Sequence, residues 1–402
     1  MSRIYNDWIE GYLHYTENTE PSKLYRTWCA IAAVGAVLRR KCYIEWGSET
    51  FYPNMYIVLV GPPAARKGTA IAPARKLIED VGIKLASDES SRQKLIERLV
   101  QSFVLDHDET RATLSHSSLT IISPEFSVFL NEDPKMLPML CDWYDCRSSF
   151  EYSTMKRGEE TVVNVWVHML GATTPTSLQR TLPPEAFGTG LASRTIFVYQ
   201  ANKEKIVIFP GGSQEDRYKL LTDLEQISVL RGPFGYGEDF INLYTEWYMD
   251  SEENPPFHED KLLGYIQRRQ TQLFKLCMIC CAARTNDMTI TAQDFTRAKE
   301  ILEWTEKFMP QTFVGIGSNP LGGIQARVMS VLLAKKKISA HELMAMFSDD
   351  LNRTQMAEIL GTLEHMRFCH ITQTGHIVCT RKVGKDECGG DDTAITKAGE
   401  NI

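Results

Sequence analysis

The stretch from Met55 to Thr69 constrains this chain more than any other. Met55-Tyr-Ile-Val-Leu-Val60 is an unbroken apolar run that reads as a buried strand. It ends in Gly61-Pro62-Pro63-Ala64-Ala65-Arg66-Lys67-Gly68-Thr69, which turns the chain and opens a helix from about Lys67 to Val81. From Met55 to about Gly171 short apolar strands alternate with amphipathic helices, the pattern of an α/β domain with a mainly parallel sheet. Leu119-Thr-Ile-Ile122 is a second strand, Val162 to Leu170 a third, and Thr195 to Tyr199 a further one.

A glycine-led loop between a buried strand and a helix is where phosphate is held. Backbone N–H groups surround the phosphate oxygens and the positive end of the helix dipole faces them. Lys67 then reaches the β/γ-phosphates of a nucleotide. Arg66 stands where the motif has its second glycine and Gly68 where it has a hydroxyl, so Thr69 supplies the Mg²⁺-binding hydroxyl one residue late, or a water does. An ordinary basic helix start after a Gly-Pro turn is the alternative. The second strand ends in Ser123-Pro-Glu125, and Glu125 is the acid expected to act as general base and to meet Mg²⁺ through water. A plain strand cap is its alternative.

The third strand leaves the sheet at Thr173-Thr174-Pro175; either hydroxyl can touch a γ-phosphate, and Thr173 is the candidate. Arg194, just before the strand at Thr195, is the candidate finger for a neighbouring subunit's phosphate; a surface salt bridge is the alternative. Between the second and third strands, Phe150 to Val163 reads as a β-hairpin whose tip, Lys156-Arg157-Gly158, can lie against a phosphate backbone without reading bases.

Composition limits the partners. A net charge of −7 and a pI near 5.8 exclude a uniformly basic nucleic-acid coat, so any contact with DNA is confined to a local patch. No apolar run approaches the roughly 20 residues that cross a bilayer, and the polar start from Met1 to Glu10 lacks a secretory pattern, which implies no membrane and a cytoplasmic location. The 10 cysteines read as reduced thiols, with Cys277, Cys280 and Cys281 buried in an apolar helix rather than holding zinc.

The expected organisation is a helical collar at 1–50, the sheet domain at 51–210, a helical lid at 211–309 and a Gly/Pro/Ser-rich linker at 310–323. A winged helix at 324–382 follows, with helices at Ile324–Ala334, Ala340–Phe347 and Thr354–Met366 and a hairpin over Cys369–Thr380. The third of these helices starts behind Asn352 with Gln355 at capping-box spacing, and 383–402 has the composition of a disordered tail.

From about Pro21 to Lys307 the chain resembles the AAA+ P-loop DNA helicases of phages and mobile elements, a prophage P-loop family more closely and viral and minichromosome-maintenance helicases more distantly. The resemblance rests on Tyr52-Pro-Asn-Met-Tyr-Ile-Val-Leu-Val-Gly-Pro62 joined to Arg66-Lys67-Gly68-Thr69, with Ser123-Pro-Glu125, Gly171-Ala-Thr-Thr-Pro175 and Ser193-Arg194 in the same order. It implies an AAA+/RecA-like sheet domain hydrolysing ATP with Mg²⁺, and a homo-oligomeric ring, a hexamer. It further implies translocation on single-stranded and forked DNA in a bacterial host cell, with primase or polymerase as possible partners. In such rings the hairpin ahead of the third strand projects into the channel, making Lys156 and Arg157 the translocating contacts. Arg268 or Arg269 resembles the second-sensor arginine at the nucleotide. Two other readings stay open: an ATPase that remodels or loads replication proteins, and a nucleotide-controlled initiator. The absence of Lys and Arg between Thr354 and Met366 weighs against the initiator.

Overall fold

The structure is a computed structural model that describes residues 3–86, 91–107, 113–130, 133, 135–154, 158–182, 190–257, 260–313, 322–348, 351–372 and 375–380. The chain divides into two compact units, Met1–Ile316 and Gly317–Ile402.

The first unit opens with helix α1 (Trp8–Tyr15), capped by the Asp7 side chain, and α2 (Lys23–Leu38), capped by Ser22. From Leu24 to Leu38 every residue of α2 is buried. Its sequence is apolar on all sides, as a helix sealed between two layers must be. Strands β1 (Cys42–Trp46) and β2 (Glu49–Phe51) pair antiparallel across a turn at Gly47, which takes φ 61°. The central elements follow: β3 (Tyr56–Val60), α3 (Lys67–Asp80), α4 (Arg92–Gln101), β4 (Phe103–His107), β5 (Thr113–Ser123), α5 (Phe126–Leu130) and α6 (Met136–Tyr144). The hairpin β6 (Ser149–Thr154) and β7 (Gly158–Val163) precedes β8 (Val165–Thr173), α7 (Pro175–Thr181), the single turn α8 (Leu191–Arg194) and β9 (Thr195–Tyr199).

The main sheet runs β4-β5-β8-β3-β9. β5, β8, β3 and β9 are mutually parallel, and β4 lies antiparallel on the edge beside β5. β3 and β8 are buried throughout, so both faces of the sheet are covered, as parallel sheets require. α2 covers one face: Gly35 leaves room for only the ring of His168 on β8 and the Ile279 side chain from a later helix. The expected third strand is in fact two elements. Asn164 takes φ 48° and donates from its side chain to the Ser115 carbonyl at 2.7 Å, which ends the hairpin before β8 begins.

The rest of the unit is mostly helical: α9 (Gln214–Ser228), the two-residue strands β10 (Gly232–Pro233) and β11 (Gly235–Tyr236), α10 (Glu238–Glu253), α11 (Leu263–Ile266), α12 (Arg269–Arg284), β12 (Thr289–Ile290) and α13 (Ala292–Glu306). One hydrophobic core joins these helices, α1, α2 and the sheet, from Trp8 to Phe313. Residues of 1–50 and 211–309, where a collar and a lid are expected, contribute to that shared core. The linker expected from 310 begins later, because Thr312 and Phe313 are buried and Phe313 packs edge-on against Phe197 of β9 at 5.1 Å. Cys277, Cys280 and Cys281 are buried in α12 as free thiols, and burial pushes the Cys281 thiol up to about 12.

The second unit contains α14 (Gly322–Lys335), β13 (Lys337–Ser339), α15 (Ala340–Met346), α16 (Arg353–His365), β14 (Cys369–Ile371) and β15 (His376–Cys379). Its antiparallel sheet runs β13-β15-β14, and Val328, Leu332, Leu343, Ile359, Leu363 and Ile377 form its own core. The Asn352/Gln355 capping box is present in full at the start of α16. The tail at 383–402 and Thr374 at the hairpin turn lie outside the described residues. No described helix is long and apolar enough to cross a membrane.

Candidate phosphate-binding site

The loop from Gly61 to Thr69 leaves the carboxyl end of β3 at the centre of the sheet, where ligands of open α/β sheets bind. Its first residue is tied on both sides. The Gly61 N–H donates to the Thr173 carbonyl at 3.3 Å, and the Gln200 N–H donates to the Val60 carbonyl at 3.0 Å. The Tyr25 hydroxyl of α2 donates to the Val60 carbonyl at 2.7 Å, with the Gln200 carbonyl at 3.1 Å. A Cβ on Gly61 would collide with the Gln200 carbonyl oxygen and the Tyr25 hydroxyl. Gly61→Ala should therefore cost about 1–3 kcal/mol of unfolding free energy through forced displacement of that carbonyl, measurable by urea denaturation. A loss below 0.5 kcal/mol, on the order of a neutral surface change, would contradict the packing.

Two loop residues take left-handed backbone, Ala64 at φ 67° and Arg66 at φ 63°. Arg66 thus adopts the conformation that its motif position ordinarily assigns to glycine, at a cost of roughly 1–2 kcal/mol. Its side chain is anchored by Glu20, with Nε 2.5 Å from the carboxylate. Glu20 also binds Lys203 at 2.6 Å, and that hydrogen bond holds the carboxyl below its usual range. The turn before α2 thereby fixes the phosphate loop. Pro63, Ala64, Arg66, Gly68 and Thr69 are exposed, Pro62 is half-buried and Ala65 is buried.

Lys67, the first residue of α3, folds back so that its ammonium donates to the Gly61 carbonyl at 2.7 Å and the Pro62 carbonyl at 3.0 Å. Burial lowers its pKa, and the negative charge of Glu125 opposes that shift. Glu125 follows the carboxyl end of β5, its carbonyl capping α5 by accepting from the Val128 and Phe129 N–H groups at 3.0 and 3.1 Å. Its side chain is exposed and free of any such bond. Thr173, at the end of β8, is in register with Val60. Thr174 is spent on local structure, accepting from the Ser177 N–H as cap of α7. Thr173 itself is buried, and its hydroxyl donates to the Thr174 carbonyl at 3.4 Å. Ser123, at the end of β5 and opposite Gly171, has a buried hydroxyl without a partner in the structure.

No group of three or more His, Cys, Asp or Glu able to hold a metal occurs among the described residues. Mg²⁺ carried on nucleotide phosphates does not need one, since phosphates and water supply most of its oxygens. The exposed Thr69 hydroxyl, the unpartnered Ser123 hydroxyl and the exposed Glu125 carboxylate suit that limited role.

The remaining arginines lie elsewhere. Thr195 is in register with Tyr56 at the start of β3, which places Arg194 at the opposite end of that strand from Val60, about 13 Å along it. Its guanidinium is gripped by Asp145 at 3.0 and 2.6 Å and also donates to the Gly190 carbonyl. Arg268 shares Asp145 at 3.6 Å. Arg269 is buried in a bidentate pair with Glu306 at 2.7 and 2.8 Å, and its guanidinium lies over the Trp247 ring. The ion-pair partners of Arg268 and Arg269 are Asp145, Glu303 and Glu306, and none belongs to the phosphate loop. Carboxylates at the far end of the sheet and at the end of α13 claim both cations. The hairpin arms pair from Ser149↔Val163 to Thr154↔Gly158, but Lys156 and Arg157 lie outside the described residues.

Nothing in the sequence marks Glu20 or Tyr25 as parts of the site. A Glu-Pro-Ser turn and a tyrosine on an apolar helix carry no spacing that links them to a loop some 40 residues later; Ser123 alone had a signal, as the last residue of a buried strand. No protein-family model matches the chain, and no curated protein matches it.

Proposed function

We propose that this chain is a P-loop ATPase that powers a replicative DNA helicase of the phage or mobile-element type. The observation carrying the ATPase reading is the convergence of Lys67, Glu125 and Thr173 from β3, β5 and β8 onto one end of the sheet, beside a helix start that offers free N–H groups. In this reading the Lys67 ammonium turns from the Gly61 and Pro62 carbonyls to the β/γ-phosphate oxygens. Glu125 takes a proton from the attacking water, and Thr173 lies near the γ-phosphate. Mg²⁺, held by Thr69 and through water by Glu125, would neutralise charge on the phosphates. For Arg194 to reach a neighbour's phosphate it has to give up Asp145. The order of helices and strands in the second unit supports a winged helix.

DNA translocation rests on the β6/β7 hairpin, with Lys156 and Arg157 as its contacts, and on the resemblance. The test is ATP turnover with and without single-stranded DNA, beside strand displacement on forked DNA. The wild-type chain should hydrolyse ATP faster with DNA and displace the strand. Glu125→Gln should bind ATP as tightly but hydrolyse it on the order of 10²- to 10⁴-fold more slowly. Turnover without displacement would favour a remodelling ATPase, and loss of ATP binding in Glu125→Gln would make Glu125 structural.

A further inference from the structure

The segment after β9 exposes three large apolar side chains almost completely, Ile206 at 80%, Ile208 at 82% and Phe209 at 85%. It is not loosely attached. The Glu204 N–H donates to the Glu20 carbonyl at 3.0 Å, the Val207 N–H to the Glu20 carboxylate at 3.4 Å and the Gly211 N–H to the Asn18 carbonyl at 3.3 Å. The Asn18 side-chain amide donates to the Phe209 carbonyl at 3.2 Å. These bonds hold the backbone against the turn at residues 18–20 and turn Ile206, Ile208 and Phe209 outward. From Lys203 to Ile208 half-buried and exposed residues alternate, as in an extended strand. Apolar groups held in water at this density mark an interaction surface.

The opposite edge of the same sheet carries a matching feature. β4 pairs with β5 alone among the described residues, leaving its other edge without a strand, and Phe103 and Leu105 are exposed on it at 46% and 56%. Such an edge invites a further strand. The spacing agrees: Ile206 and Ile208 are two apart, as are Phe103 and Leu105. Antiparallel pairing of Ile206 with Leu105 and Ile208 with Phe103 puts these four apolar groups on one face; on the other Val207 lies opposite Val104 and Lys205 opposite Asp106, which also holds His116 at 3.1 Å. The sheet, roughly 19 Å wide by strand spacing, separates the two patches, and one copy cannot satisfy both from itself.

We propose that residues 205–209 of one copy add as a strand to the free edge of β4 in the next copy, a head-to-tail contact between copies of this chain. Such a contact builds rings or open arrays rather than closed dimers. It also joins assembly to the phosphate loop, because Glu20 holds both Val207 and Arg66. This goes beyond the ATPase reading and needs no nucleotide to be tested.

Sedimentation velocity on the full chain at micromolar concentration should show species larger than a dimer. I206S/I208S/F209S should be a monomer, with the assembly midpoint raised at least about 100-fold in concentration. F103K/L105K should be a monomer too. Mixing these two variants should give a heterodimer and nothing larger, since one intact segment then meets one intact edge. Chains carrying Ile206→Cys mixed with chains carrying Leu105→Cys should form an intermolecular disulfide when a mild thiol oxidant is added to take up the two electrons, which also serves if F103K/L105K does not fold. A wild-type chain that stays monomeric, an edge variant that assembles like wild type, or Cys pairs that fail to cross-link would each overturn the proposal. ATP binding at Lys67, measured on the same samples, reports on the phosphate site independently.

Discussion

Lys67→Ala is expected to lower ATP turnover by on the order of 10²- to 10³-fold, the usual cost of removing one charged donor from developing negative charge. The same change should leave stability within about 0.5 kcal/mol. The side chain is only half-buried, and its bonds in the structure go to the Gly61 and Pro62 carbonyls of its own loop. Nothing in the core rests on it. Steady-state turnover with a parallel urea titration checks both halves. Turnover within a few-fold of wild type would remove the phosphate-site assignment, whereas loss of folding would show that the ammonium holds the loop instead.

The largest effect on stability is expected from Glu306→Ala. Glu306 and Arg269 have side chains only 4% and 8% exposed and share two hydrogen bonds of 2.7 and 2.8 Å. The Tyr265 hydroxyl donates to the same carboxylate at 3.0 Å. Removing the carboxylate strands a guanidinium whose other contacts are the Ser251 hydroxyl, the Trp247 ring and the Glu303 carboxylate at 3.9 Å. Breaking a buried pair from one side costs about 3–5 kcal/mol, far more than the pair contributes against an apolar substitute. R269M/E306M should therefore recover much of the loss. Chemical denaturation of the first unit measures it, and a change under about 1 kcal/mol would mean that water reaches the pair. Because the partners of Arg269 lie outside the phosphate loop, Glu306→Ala should leave the Kd for ATP unchanged wherever the protein remains folded. A weakened Kd would place Arg269 at the nucleotide.

The parts of the molecule legible in the sequence are those whose cause is local. An apolar run closed by Gly61 and Pro62 marks the end of β3, and the Lys67 that follows stands at the first turn of a helix because the chain has nowhere else to take it. Asn352 and Gln355 form their capping box from three residues' separation. The burial of Cys277, Cys280 and Cys281 follows from the unbroken apolar run from Leu276 to Ala283 of α12. In each case the interacting groups lie within one turn or one strand, so spacing alone specifies the contact.

Only the tertiary structure decided which charges are free. Arg194, Arg268 and Arg269 look alike as isolated cations, but Asp145 and Glu306, far off in sequence, reach them across the fold and neutralise them. Glu20 reaches Arg66 in the same way and holds it in a left-handed conformation that its residue type disfavours. The burial of α2 between the sheet and α12 likewise depended on what folds over it. A side chain's chemistry is set by its own residue type; its availability is set by the partner that the fold brings within about 3 Å, and that partner is fixed by long-range packing rather than by local spacing.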